Sequence, residues 1–268
     1  RDYYASRGLG DVYKRQICNS MKIGHHMRFI FKPVFIASIL VGFLFSCGND
    51  NGNFRMTDFE EVIVSRDVPL TGDTDSPRCK ISIQLYVAKG DSGKSQSINS
   101  TIEDKLFDFD NLPLKQAADS FANVYARNYI DVLRPLYKKD RSDKTRQSWY
   151  EYRYNVSTEV SKGRDDIIVY TIKSEWYEGG AHGLSQKHVV NFDVNTGKRL
   201  AASDVFVPGY ETKLTEILLK SLKDKVGAKT ITELHDKGYL YSMDIFVPEN
   251  FIIGEDHITF IYNICLLY

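Results

Sequence analysis

From residue 60 onward the apolar positions repeat with two periods, and each change of period marks an element. Residues 60–66 and Arg78–Ala88 read as strands. In the second, Cys79, Ile81, Ile83, Leu85 and Val87 alternate with Lys80, Ser82, Gln84 and Tyr86, the period of a half-buried strand. Ile98, Ile102 and Leu106 then switch to helical spacing. A second helix is expected over residues 113–133, with Leu114, Ala117, Ala118, Phe121, Tyr125, Tyr129 and Val132 on one face and Asn111 as its cap. Residues 138–146 read as a charged loop.

A β-meander is predicted next. Tyr150, Tyr152, Tyr154, Val156 and Val160 oppose Glu151, Arg153, Asn155, Ser157 and Glu159. A turn over 162–165 leads into a strand carrying Ile168, Tyr170, Ile172 and Trp176. The loop EGGAHG (178–183) precedes a strand with His188, Val190, Phe192 and Val194, and the NTG at 195–197 makes another turn. Tyr210, Leu214, Ile217, Leu218 and Leu222 form a helical stripe. A further helix opens at the Thr230/Glu233 capping box and stops at Gly238. Residues 251–253 and 257–262 read as a final hairpin. Strands and helices are segregated rather than alternating, which predicts the α+β class with a mainly antiparallel sheet and flanking helices.

The ends of the chain break this pattern. RDYYASRGLGDVYKRQ at 1–16 has neither period and resembles translated sequencing-adapter sequence, as does the closing stretch 264–268; residues 1–26 are therefore set apart from fold reasoning. From Met27, Arg28 and Lys32 precede a largely apolar run over 34–45. As a helix it is about 18 Å long, short against a hydrocarbon core of about 30 Å, and it suits a secretory leader over 27–46. Its end, LFSCG at 44–48, resembles a bacterial lipobox with Cys47 as the lipidated residue. The polar stretch after it, within 47–58, reads as a tether. A lipoprotein held in a membrane by palmitate-like chains on Cys47 is the expectation, placing the protein in the cell envelope, periplasmic or at the outer-membrane surface.

Composition then narrows the function classes. Of 268 residues 43% are hydrophobic, which excludes a disordered tail, and 35 Lys+Arg balance 35 Asp+Glu, which gives no case for nucleic acid. Removal of residues 1–46 leaves 28 basic and 33 acidic residues, a net of −5 that favours a cationic partner over an anionic one. Four cysteines are too few for a disulfide scaffold, and Cys79 in a strand pattern reads as a small buried hydrophobe.

Three stretches are candidates for chemistry. AKGDSGKS at 88–95 follows a strand and precedes a helix, as a phosphate-binding loop does. Ala88 stands where the first glycine belongs, so a polar strand-to-helix loop is the reading. GDSG at 90–93 echoes serine proteases, but no histidine lies between Cys47 and Ser92. In YEGGAHG at 177–183 the glycines permit close backbone approach or positive φ. His182, His188 and Glu178 or Glu175 are the nearest metal candidates, yet their spacing matches no established site. No metal, cofactor or catalytic residue is assigned.

At this loop the chain resembles a known family. WYEGGAHG (176–183), NFDVNTGK (191–198), DVF (204–206) and ITFIYN (258–263) are similar to the extracytoplasmic domain of unknown function found in RsiV-type anti-sigma factors, PdaC-type peptidoglycan deacetylases and Bacteroidetes lipoproteins. Ile98, Asn99 and Ile102 resemble the start of its companion subdomain. The resemblance implies two lobes, an N-terminal α+β subdomain over 59–147 and a C-terminal domain over 148–263, with truncation before the family's last strand. It also implies, from the RsiV members, binding of lysozyme. The resemblance covers neither a sigma-binding segment nor a deacetylase domain, so neither activity is expected to transfer. The expectation is a non-enzymatic envelope domain binding a cationic lysozyme-like protein or a cell-wall glycan through Tyr177, Glu178, Gly179, Gly180 and His182. The alternative is a glycan-acting hydrolase using His182 and a nearby carboxylate, which needs the two within about 3 Å of each other in a cleft.

Overall fold

The computed structural model describes residues 58–109, 112–240 and 244–263, all within the compact unit Asn53–Tyr268. The leader, Cys47, most of the tether, Asn111 and residues 264–268 lie outside the described residues. Two strands, β1 (Phe59–Pro69) and β2 (Arg78–Ala88), pair antiparallel. Helices α1 (Gly93–Leu106) and α2 (Leu114–Asp140) follow, then a 3-10 turn (Lys144–Tyr150). Strands β3 (Tyr152–Lys162), β4 (Ile167–Glu178), β5 (Leu184–Asp193) and β6 (Arg199–Leu200) complete one six-stranded sheet in the order β1-β2-β3-β4-β5-β6. Helices α3 (Ala202–Val205), α4 (Tyr210–Val226) and α5 (Ile231–Asp236) precede a separate hairpin of β7 (Phe251–Ile253) and β8 (Ile258–Phe260). This is an α+β fold with a mainly antiparallel sheet.

The pair β2–β3 is parallel, and α1 and α2 make the crossover that a parallel pair requires. They cover one sheet face. Ile81, Ile83 and Leu85 of β2, Val156 and Val160 of β3, and Tyr170 and Ile172 of β4 meet Ile98 and Ile102 of α1 and Ala117, Ala118, Ala122 and Tyr129 of α2 in the main core. A residue boundary at 147/148 therefore runs between two hydrogen-bonded strands of one sheet. The smaller apolar cluster is C-terminal, around Ala202, Phe251 and Ile253.

Helix α2 runs through Pro135 to Asp140, where a stop at 133 and a charged loop were expected. Pro135 is exposed, so the carbonyl it leaves unbonded faces solvent. Beyond it, Tyr137 is buried with its ring 5.1 Å from that of Tyr150, which holds the extra turn against the domain. The helix's buried edge passes through Leu133, and Val132 is exposed. The stripe on α4 has no buried member, and Ile217 is 50% exposed: among the described residues that face is only partly covered.

Asparagine amides continue the ladders where strands run out. Asn99 bonds both the N–H and the C=O of Ala88, each at 2.9 Å. Asn191, within β5, donates to Phe251 O (2.8 Å) and accepts from Ile253 N–H (3.1 Å). Asn250 accepts from Val189 N–H and donates to Lys187 O, and Asn263 accepts from Lys187 N–H. A carboxamide offers donor and acceptor side by side, as a peptide group does. In this way the C-terminal segment docks on β5 without becoming a seventh strand.

Candidate functional site

The Gly-rich loop joins β4 to β5, and Trp176 pairs with Leu184 across it. Gly179 has φ +76, and a Cβ there would lie 2.3 Å from Trp149 O. A side chain at Gly183 would meet Trp176 O at 2.9 Å, whereas Gly180, at φ +94, faces open space. The loop is thus pressed on the 3-10 turn at one end and free in the middle.

Strand alternation separates the residues expected to act together. Tyr177 pairs in register with Arg153, and Glu178 with Tyr152, so their side chains leave opposite faces. The Glu178 carboxylate turns to the helical side, where Tyr125 donates to Oε1 at 2.7 Å. The rings of Phe121, Tyr125 and Tyr154 cluster there with centroids 4.9–5.8 Å apart. Burial pushes the Glu178 carboxyl up from its ordinary range, and the Tyr125 hydrogen bond offsets part of that rise. Burial also raises the Tyr125 phenol, with the Glu178 charge adding to it. Cys79 is fully buried. Its thiol is pushed up to about 12 by burial and then by the charges of Glu178 and Asp67, so it is no nucleophile.

His182 is exposed in the loop, with Nδ1 3.3 Å from Gly183 O. An acid–base pair with Glu178 would require that carboxylate to leave Tyr125. His188 pairs with Ile172 and shares the helical side; burial, then Lys105, lowers its pKa. Glu175 alternates to the other face. The four metal candidates do not converge, and no group of three or more His, Cys, Asp or Glu able to hold a metal occurs among the described residues. In the 88–95 stretch, Ser92 caps α1 by accepting from Ser95 N–H at 3.2 Å, as a strand-to-helix loop does.

The polar side of the sheet carries a surface that the Gly loop alone does not suggest. Lys80, Arg153 and Tyr177 are successive register partners across β2, β3 and β4. With Ser148 and Glu151 they line a depression of about 320 Å³. The Arg153 guanidinium lies 5.3 Å over the Tyr177 ring, and Tyr177 OH donates to Gly180 O at 2.8 Å. Lys80 and Arg153 make no ion pair among the described residues. Two like charges on neighbouring strands repel and leave net attraction for an anionic group. Trp149, beside the loop, is 50% exposed. The outward positions Glu151 and Arg153 were legible in the β3 alternation. Lys80 was not, because its place beside Arg153 depends on the parallel pairing.

Residues 203–264 match the family model described as protein of unknown function (DUF3298). This segment belongs to the DUF3298 family. A crystal structure of a DUF3298 family member from Bacteroides fragilis superposes with a TM-score of 0.67 at 29% identity, over 75% of this chain and 81% of that one. A DUF3298 protein from Pseudomonas aeruginosa aligns at 18% identity and a TM-score of 0.40, over 62% of this chain and 66% of that one. No curated protein matches. The DUF3298 segment runs from within α3 through α4, α5 and the hairpin and includes Asn250 and Asn263, so the amide clamp on β5 is where it joins the sheet.

Glu178 yields a prediction from its sign. A carboxyl raised in the folded state binds its proton more tightly there than in the unfolded chain, so its cost to stability is full above the folded pKa and fades as pH falls through the carboxylate range. Glu178→Gln keeps an acceptor for Tyr125 and removes the buried charge. Urea denaturation at pH 7 should show a gain of about 1 kcal/mol, shrinking toward pH 4. An unchanged or lower midpoint at pH 7 would contradict the assignment.

Proposed function

We propose that the protein is a lipid-anchored envelope protein, tethered through Cys47, whose DUF3298-containing domain binds a cell-wall glycan without turning it over. The observation that carries the reading is the depression of Lys80, Ser148, Glu151, Arg153 and Tyr177 on the sheet face opposite α1 and α2. An aromatic ring beside forked polar groups suits a sugar ring and its carboxylate; Gly180, whose carbonyl accepts from Tyr177 OH, ties the loop to it, and we assign Gly179 and His182 of that loop to the same binding surface. With Glu178 bonded to Tyr125 on the opposite face, binding fits the arrangement better than acid–base hydrolysis by a His182 pair. The leader over 27–46 supports the envelope address, and among the described residues no helix is long and apolar enough to cross a membrane.

The net of −5 on residues 47–268 favours a second reading, a cationic lysozyme-like protein as partner. One set of assays separates them. The chain should co-sediment with purified peptidoglycan, and Arg153→Ala combined with Tyr177→Ala should weaken this about tenfold, or about 1.4 kcal/mol, with circular dichroism unchanged. Capture of lysozyme with no glycan binding would select the second reading; neither would end both. Cells fed labelled palmitate should label the wild type and not Cys47→Ser.

A further inference from the structure

β1 is the outer strand of the sheet, and its backbone groups point alternately to β2 and to the open edge. Leu70 N–H donates to Pro77 O at 2.9 Å and Lys89 N–H to Asp58 O at 2.7 Å. Both fall in the register that pairs Phe59 with Ala88 and Pro69 with Arg78. Even-numbered residues of β1 therefore turn N–H and C=O to β2, and Glu61, Ile63, Ser65 and Asp67 turn theirs outward. Two of the outward carbonyls are covered: Arg66 Nη1 donates to Ser65 O at 2.8 Å and Arg78 Nη2 to Asp67 O at 3.3 Å. Around Glu61 and Ile63 no strand lies alongside among the described residues, and Ile63 is 65% exposed. Such an edge is a template for strand addition. A depression of about 610 Å³, between residues 63–66 and Lys115, Gln116 and Asp119 of α2, leaves room beside it.

The side chains select which strand fits. In an antiparallel pair of two β1 strands centred on Ile63, the two Ile63 side chains meet, Val62 faces Val64, Glu61 faces Ser65, and Glu60 faces Arg66, the last three twice by symmetry. Glu60 is exposed and without an ion pair among the described residues, and Arg66 lies on the same sheet face, held to Asp119 at 2.5 Å. Centring on Glu61 would oppose two carboxylates, and centring on Ser65 would set Ile63 against Asp67. Like charges or a charge against an aliphatic chain disfavour both. The Ser65 carbonyl has a second lone pair for the incoming Glu61 N–H while Arg66 stays in place.

We propose that the β1 edge is a homodimer interface, two copies of this chain joining antiparallel about Ile63 so that their sheets become continuous. Odd residues face odd residues, so both helical layers lie on the same side and the contact is isologous. An interface built mainly on one strand is small, which places it among the weak, concentration-dependent contacts. The inference is independent of the glycan reading.

Sedimentation velocity on the full chain between about 1 and 100 μM tests it. Wild type should pass from monomer to dimer. Glu60→Arg, which opposes Arg66, should weaken association at least about tenfold. Ile63→Pro removes only an outward N–H, so it should do the same with the β1–β2 ladder intact. Under mild oxidation Ile63→Cys chains should gain a dimer cross-link over wild type, whereas Glu61→Cys chains should cross-link to Ser65→Cys chains and not to each other. A monomer throughout the range, or a dimer indifferent to both Glu60→Arg and Ile63→Pro, would overturn the proposal.

Discussion

Asn191→Leu should destabilise the domain by about 2–4 kcal/mol and release the C-terminal hairpin from β5. Asn191 is 2% exposed, and its amide is the partner of both Phe251 O and Ile253 N–H. Leucine fills similar volume but leaves two buried backbone groups unpaired, at about 1–3 kcal/mol each. The apolar gain of the leucine offsets part of this, since Phe251 and Ile253 lie in the adjoining cluster. Urea denaturation reads the loss, and hydrogen exchange at Ile253 should accelerate more than at Ile83 in the main core. Asn191→Asp should be nearly as harmful, because it keeps the acceptor for Ile253 N–H and turns a second oxygen toward Phe251 O. Retention of wild-type stability by Asn191→Leu would mean the amide clamp is incidental.

Gly179→Ala should cost about 2–4 kcal/mol, the second large effect. A non-glycine residue at φ +76 costs about 1–2 kcal/mol, and the added Cβ would press within 2.3 Å of Trp149 O, forcing backbone to move. Gly180→Ala is the internal control. Its φ is also positive but its surroundings are open, so only the conformational cost of about 1–2 kcal/mol applies. Thermal unfolding should therefore separate the two by several degrees, and Trp149 fluorescence should shift in Gly179→Ala alone. Equal effects would mean that the loop's contact with the 3-10 turn contributes nothing.

How much of this was legible follows from the range of each signal. The alternation of Cys79, Ile81, Ile83 and Leu85 placed β2 residue for residue, and the Thr230/Glu233 box located α5, with Thr230 accepting from Glu233 N–H at 3.1 Å. Both depend on neighbours within a few residues. The end of α2 lies beyond the expected 133 because the buried Tyr137 ring, packed on Tyr150, holds the added turns, a contact no local pattern shows. The α4 stripe was read from periodicity alone, which shows that a face is apolar and not that anything covers it. At the candidate site, the glycines pointed correctly to a tight loop. The opposite facing of Tyr177 and Glu178 was implicit in the same strand alternation, but the loop pattern drew them together.

By itself the sequence determined the element types, their approximate bounds, the α+β class and the family resemblance near 176–206, because hydrophobic period, caps and turn residues act over short separations. Tertiary structure alone decided that β2 lies parallel beside β3, bringing Lys80 next to Arg153, that Glu178 turns inward to Tyr125, and that three asparagines dock the DUF3298 segment on β5. Those outcomes rest on pairings between residues 50 to 80 positions apart. Their free energy depends on which surfaces meet and which buried groups find partners, and no local pattern carries that information.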